Sequence, residues 1–197
     1  MTASTLFSNI VRDAHRNGIA LDRSRRSIEW FRERARDVRS INRSRMFDDS
    51  TRTVGTIEPG NMYSFFYDPK HKNTLPYYDR FPLVFPFSPA ERGFLGINLH
   101  YLPYELRARL MDGLAEHINN DKLDKTTKLK INYGILKSAA RLKYFEPCVK
   151  RYLDNHVRSQ FVRIAPKEWE IAVFLPLQSF QNASVQQVWA DSRRMIN

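Results

Sequence analysis

Cysteine is nearly absent from this chain of 197 residues, with Cys148 standing alone. An internal disulfide is excluded, and the composition fits a reducing compartment; the plain reading of Cys148 is a small buried residue near a helix start. Lysine is missing from the first 52 residues, where twelve arginines face seven acidic residues. No run approaches the roughly 18 consecutive apolar residues that a membrane helix requires, so no membrane contact is expected. The opening Met-Thr-Ala-Ser-Thr-Leu-Phe has no basic stretch leading into an apolar one, so no secretory leader is expected, and the sequons at Asn42 and Asn182 carry no weight. Seven glycines and ten prolines exclude a low-complexity chain.

Signatures of chemistry are missing as well. The histidines at 15, 71, 100, 117 and 156 include no pair at helical ligand spacing, and no C-x-x-C or H-E-x-x-H occurs. Neither a G-x-S-x-G elbow nor a phosphate-binding glycine loop is present. Gly93 and Gly96 bracket apolar residues and read as a tight strand start. Asp79, Glu91, Glu168 and Glu170 are carboxylates that no motif pairs. His100, between Leu99 and Tyr101, reads as a packed imidazole bonded to backbone. The expectation is a protein that is not an enzyme and holds no cofactor or metal.

What the chain does contain is an aromatic block. From Gly60 to Phe87, and on through Gly93 to Pro103, aromatic rings, prolines and strand-formers alternate. Short strands are predicted at Met62–Tyr67, Leu83–Phe87 and Phe94–Leu99, with an exposed turn tip at Lys70-His71-Lys72-Asn73. Helices follow after Pro103 (Leu106, Leu110, Met111, Leu114, Ile118 on one face), after Asp124 (Leu129, Tyr133, Leu136, Ala140) and after Pro147 (Val149, Tyr152, Leu153, Val157). Phe161–Ile164 reads as a strand, Pro166–Pro176 as a helical turn leading into a strand, and about 184–195 as a last helix. The fold class is α+β: a small, irregular antiparallel sheet packed with several helices, preceded by an Arg-rich helical and extended arm. The division predicted is an arm over 1–58 and one compact domain over 59–197, with the boundary near Pro59.

The arm carries the strongest partner signal, in keeping with a net charge of +11. A helix is predicted over 3–17, stopped by Asn17-Gly18, and a second from Asp22 or Ser24 to about Ser40. Residues 41–58 read as an extended linker. Nine arginines crowd this region: Arg23, Arg25, Arg26, Arg32, Arg34, Arg36, Arg39, Arg43 and Arg45. Arginine recognises phosphate and carboxylate through a planar fork, so these are candidate anion- or partner-binding residues. Ile28, Phe31, Ala35 and Val38 fall at helical spacing and form a candidate docking stripe.

The block Tyr67-Asp-Pro-Lys-His-Lys-Asn-Thr-Leu-Pro-Tyr-Tyr-Asp-Arg-Phe-Pro-Leu-Val-Phe-Pro-Phe87 resembles a family of small virion proteins of T-even-type, contractile-tailed bacteriophages, marine ones especially. Gly93–Pro103, Arg107–Leu110, Tyr144–Leu153, Glu168–Pro176 and Val188–Arg193 are similar too. The resemblance covers about residues 25–197 and extends to the DNA end protector family. It implies a place in the virion, assembled in the host cytoplasm, and supplies no catalytic residues. Two functions follow. The first is a structural component of tail, baseplate or neck, present in multiple copies in a symmetric assembly, whose arm docks on acidic surfaces of other phage structural proteins. The second is a protein that binds double-stranded DNA ends and guards the packaged genome.

Overall fold

A computed structural model describes residues 4–20, 24–38, 41–118 and 122–197. Six antiparallel strands form the main sheet: β1 (Thr53–Val54), β2 (Met62–Ser64), β4 (Leu83–Ala90), β5 (Gly93–Asn98), β6 (Val149–Leu153) and β7 (Phe161–Ile164). Their spatial order is β1-β7-β2-β4-β5-β6. A small second sheet pairs β3 (Tyr78–Asp79) with β8 (Phe180–Gln181). Six α-helices accompany them: α1 (Ser4–Arg16), α2 (Arg25–Arg36), α3 (Tyr104–Ile118), α4 (Lys125–Ala139), α5 (Trp169–Phe174) and α6 (Val185–Ile196). The α+β expectation holds, and no described helix is long and apolar enough to cross a membrane.

Local signals place the helices. Ser24, Asp124 and Ser184 cap α2, α4 and α6, each side chain accepting from a backbone N–H three residues on. Gly18, at φ 63°, ends α1 in the left-handed conformation that favours glycine.

Strand alternation sorts the sheet's side chains onto two faces. Met62, Leu83, Phe85, Ile97, Val162 and Ile164 join the helices in the main core. Tyr63, Phe65, Val84, Phe94, Tyr152 and Phe161 pack on one another on the other side. That second face stays dry because the sheet curls around Phe65, whose ring lies 5.0–6.2 Å from those of Tyr67, Phe94, Tyr152 and Phe161. The chain leaving β6 completes the curl. Asp68 donates its N–H to the His156 carbonyl at 3.0 Å, and Arg158 donates to Phe66 at 2.8 Å. Two glycines permit the tight curvature: a Cβ on Gly93 would lie 1.8 Å from the Tyr152 carbonyl oxygen, and one on Gly96 2.3 Å from Val84 Cγ1. They serve backbone approach, as their sequence setting suggested.

Several expectations change. Residues 41–58 are more than a linker: Arg43–Phe47 is a 3-10 turn with Met46 buried, and β1 pairs with β7. Arg52 forms a bidentate pair with Glu168 at 2.5 and 2.9 Å, tying this segment to the turn before α5. The helix expected after Pro147 is strand β6, because the exposed edge of β5 pairs with it and tertiary pairing overrides the local apolar spacing. Pro166–Phe174 is a 3-10 turn running into α5, and that helix is buried rather than leading to a strand.

Helix α2 of the Arg-rich segment packs on this chain's own helix α5. Phe31 and Ala35, read as part of a stripe for a neighbouring protein, are covered by this chain's own core, where α2 meets α5; Ile28 and Val38 stay half-buried. A buried ring truncated to a methyl typically costs about 3 kcal/mol or more. Phe31→Ala should therefore lower the urea midpoint of a single unfolding transition of the whole chain. A separate, earlier transition with an unshifted main one would instead mark residues 1–58 as an independent arm.

Candidate nucleic-acid interface

The nine arginines named from sequence have divergent fates. Arg23 and Arg39 lie outside the described residues. Arg36 falls in the last turn of α2. Arg43 is structural: its guanidinium donates to the carbonyls of Leu177 at 2.6 Å and Gln178 at 2.5 Å. Arg34 pairs with Asp13 at 2.8 Å, and Arg25 with Glu29 at 2.9 Å on an almost fully exposed side chain. Arg32 lies over the Phe174 ring at 4.7 Å. Arg26 and Arg45 are exposed. Of the nine, those whose side chains are described line neither of the two recesses that hold other cations.

A different set of residues does converge. The turn after β2, the β4–β5 hairpin tip and β6 enclose an open cleft of about 580 Å³. Lys70, Arg92, Lys150 and Arg151 line it together with His71 and His156, against the carboxylates of Asp79 and Glu91. Tyr67, Tyr77, Tyr78, Tyr101 and Tyr152 supply its aromatic walls. A second recess of about 450 Å³ adjoins it, lined by Lys72, Arg80 and Arg158 with Asp68. Tyr78 borders both recesses, and no other ring stacks on it among the described residues.

The cations differ in how free they are. Lys72 donates to both oxygens of Asp68, at 3.0 and 3.1 Å, and this contact holds the Asp68 carboxyl below its ordinary range. Arg151 donates to the Glu91 carbonyl at 2.7 Å. Arg92, at the hairpin tip with φ 57°, is 84% exposed and 3.9 Å from Glu91. Lys150 is partly buried and has no carboxylate partner among the described residues; its ammonium sits 4.1 Å from the centre of the Tyr101 ring. Burial pushes its pKa down, so an anion brought to it would find a poorly hydrated charge. Tyrosine faces beside lysine and arginine heads suit a nucleic acid: rings stack on bases and cations meet phosphates.

Beneath the cleft lies a buried polar network. Asp79 accepts from His100 Nδ1 at 2.6 Å, from the N–H of Ser179 at 2.9 Å and from that of Phe81 at 3.1 Å. Burial works against its charge, but His100 and these donors prevail and hold the carboxyl below its ordinary value. Burial pushes the His100 imidazole down, against the pull of Asp79. The bond thus runs from a neutral imidazole N–H to a carboxylate, where sequence suggested a backbone partner. His100 is fully buried. Among the described residues no three His, Cys, Asp or Glu side chains gather where a metal ion could sit.

The sequence does not single out Lys150 and Arg151, because Pro147 ahead of an apolar spacing predicts a helix there. The usable signal was the Lys-Arg pair abutting Tyr152, which in a strand puts Lys150 and Tyr152 on the same side of the sheet.

The model of the family described as phage T4 terminal DNA protecting protein matches residues 4–192. The chain belongs to this family. No curated protein and no solved structure matches it. Of the two functions expected, the terminal DNA protecting family favours the second; a role in tail, baseplate or neck gains no support. The family is named for guarding DNA rather than for a reaction.

The buried pair predicts the stability profile of this family member. His100 has its folded pKa below the ordinary 6.5. As pH falls through 6.5 the unfolded chain takes a proton that the folded chain refuses, so stability is intact above that pH and lost below it. Asp79 acts in the same direction at lower pH, below its ordinary 3.8. The unfolding free energy should hold above neutral pH and fall on acidification, by at most about 1.4 kcal/mol per pH unit for one proton, and the thermal midpoint should fall with it. His100→Gln, which keeps a donor for Asp79, should flatten the upper part of that fall.

Proposed function

We propose that this protein binds the double-stranded termini of a packaged phage genome in the virion and shields them from exonucleases. The observation that carries this reading is the coincidence of two facts. The chain belongs to a terminal DNA protecting family, and its surface holds two adjoining cation-lined recesses that share Tyr67 and Tyr78 in their linings. Phosphate contacts position a protein on DNA without reading sequence, so little base preference is expected. The half-buried Tyr78 ring, which lines both recesses, favours an end, because a terminal base pair offers a free stacking surface and an internal one does not. Exposed arginines of the N-terminal segment, Arg26 and Arg45, add long-range attraction that salt screens.

The test compares linear blunt duplex with covalently closed circles of the same sequence. Linear DNA should bind tighter, and the bound ends should resist an exonuclease that degrades the free ones. Each phosphate neutralised releases about 0.9 counterion, so four or five contacts give a log–log salt slope of about −4. Charge removal at Arg80 and Arg158 together should shallow that slope by up to about 2. Equal affinity for circles and ends, with no nuclease resistance, would sink the reading.

A further inference from the structure

We propose that the cleft between the turn after β2 and the edge strand β6 is a socket for a terminal phosphate monoester on a DNA end, with Lys150 as its innermost cation. The proposal rests on the end-binding reading and adds the chemical group that is recognised.

Three observations support it. The first is the state of Lys150. Its ammonium is partly buried on the Tyr101 ring and lacks a carboxylate among the described residues. A cation withdrawn from water without an anion is unfavourable, and a bound phosphate removes that cost. Of the two acids in the lining, Asp79 is already engaged by His100, Ser179 and Phe81, so it leaves the ammonium available. Glu91 lies out at the hairpin tip, 80% exposed, beside Arg92.

The second is the arrangement of the other cations. Lys70, Arg92 and Arg151 stand around the same cleft. A phosphate monoester carries nearly two negative charges at neutral pH and three terminal oxygens, whereas a backbone diester carries one charge and two free oxygens. Several cations around one recess therefore favour the monoester, and guanidinium groups can bind it through paired N–H bonds.

The third is shape. At about 580 Å³ the cleft is of small-ligand size, comparable with a nucleotide, and tyrosines form its walls. An internal phosphate has chain on both sides and a duplex around it, which keeps it from a recess lined by side chains. A terminal nucleotide has chain on one side only and can enter.

The experiment uses the full-length protein and four short duplexes of one sequence: 5′-phosphorylated, 3′-phosphorylated, unphosphorylated at both ends, and closed at both ends by hairpin loops. Affinity is read by fluorescence anisotropy at one fixed salt concentration. One phosphorylated form should bind about tenfold tighter than the unphosphorylated duplex, as charge-assisted bonds to a single extra group allow; which form it is assigns the strand end. Lys150→Met should erase that preference while open ends still bind better than closed ones. Arg92→Ala, on a side chain that is 84% exposed and so safe for folding, should reduce the preference in part. Lys150→Arg should retain a measurable preference. Equal binding of phosphorylated and unphosphorylated ends by the unaltered protein, with closed duplexes still weaker, overturns the socket and leaves end binding standing. Equal binding of open and closed duplexes overturns both.

Discussion

The fold depends on one buried polar network centred on His100. Its side chain holds Asp79 and its carbonyl receives two further donors, Arg107 Nη2 at 3.2 Å and Trp189 Nε1 at 2.9 Å. Arg107 is itself fully buried and donates to the carbonyls of Leu102 and Val173 at 2.7 and 2.8 Å. Burial brings its guanidinium down to about 10, still protonated at neutral pH. Asp79 and Arg107 thus place opposite charges at the two ends of one imidazole-bearing residue, so neither is a lone charge in the interior. Through these bonds β3, the segment before β8, α3, α5 and α6 are tied to a single point. Losing a member strands buried donors or acceptors, each unsatisfied group costing about 1–3 kcal/mol.

That network also fixes what lies above it. Asn98 donates to Asp79 at 3.3 Å and to the Tyr152 hydroxyl at 3.0 Å, so the same cluster positions the aromatic wall of the cleft. Tyr101, the ring beneath Lys150, is neighbour to His100 in sequence, and its carbonyl accepts from Ser192 at 2.7 Å. The cleft floor is thus the outer layer of a hydrogen-bonded buried cluster. The cations at the rim, by contrast, sit on a hairpin tip, an exposed turn and an edge strand. An anchored aromatic base with adaptable charges around it suits a ligand whose end is invariant in chemistry but variable in sequence.

Much of the fold was legible because its signals are local. Ser24 and Asp124 stand at helix caps, Gly18 at a helix stop, and Phe161–Ile164 is a short run of strand-formers. What was not legible depends on contacts distant in sequence. Val149 and Tyr152 carry spacing that a helix and a strand both accept, and only the free edge of β5 decides between them. The site failed to appear for the same reason. Its cations come from residues 70, 92, 150 and 151, and nothing in the chain order announces that a turn, a hairpin tip and a strand edge will meet.

The arginine-rich segment shows why charge density is a poor guide to a binding site. Nine arginines in a short stretch suggest a surface made for anions, yet folding gives several of the described ones separate tasks. Arg43 satisfies carbonyls of the segment that follows α5, Arg34 bridges α2 to α1, and Arg32 lies on an aromatic ring of the core. A guanidinium can do all of this because it offers five donors and a flat apolar face. Lys150 can do less, having a single compact charge, and the structure gives it an aromatic face but no carboxylate counter-ion among the described residues. In a protein with excess positive charge throughout, the informative cation is the one that folding leaves unmatched in a recess.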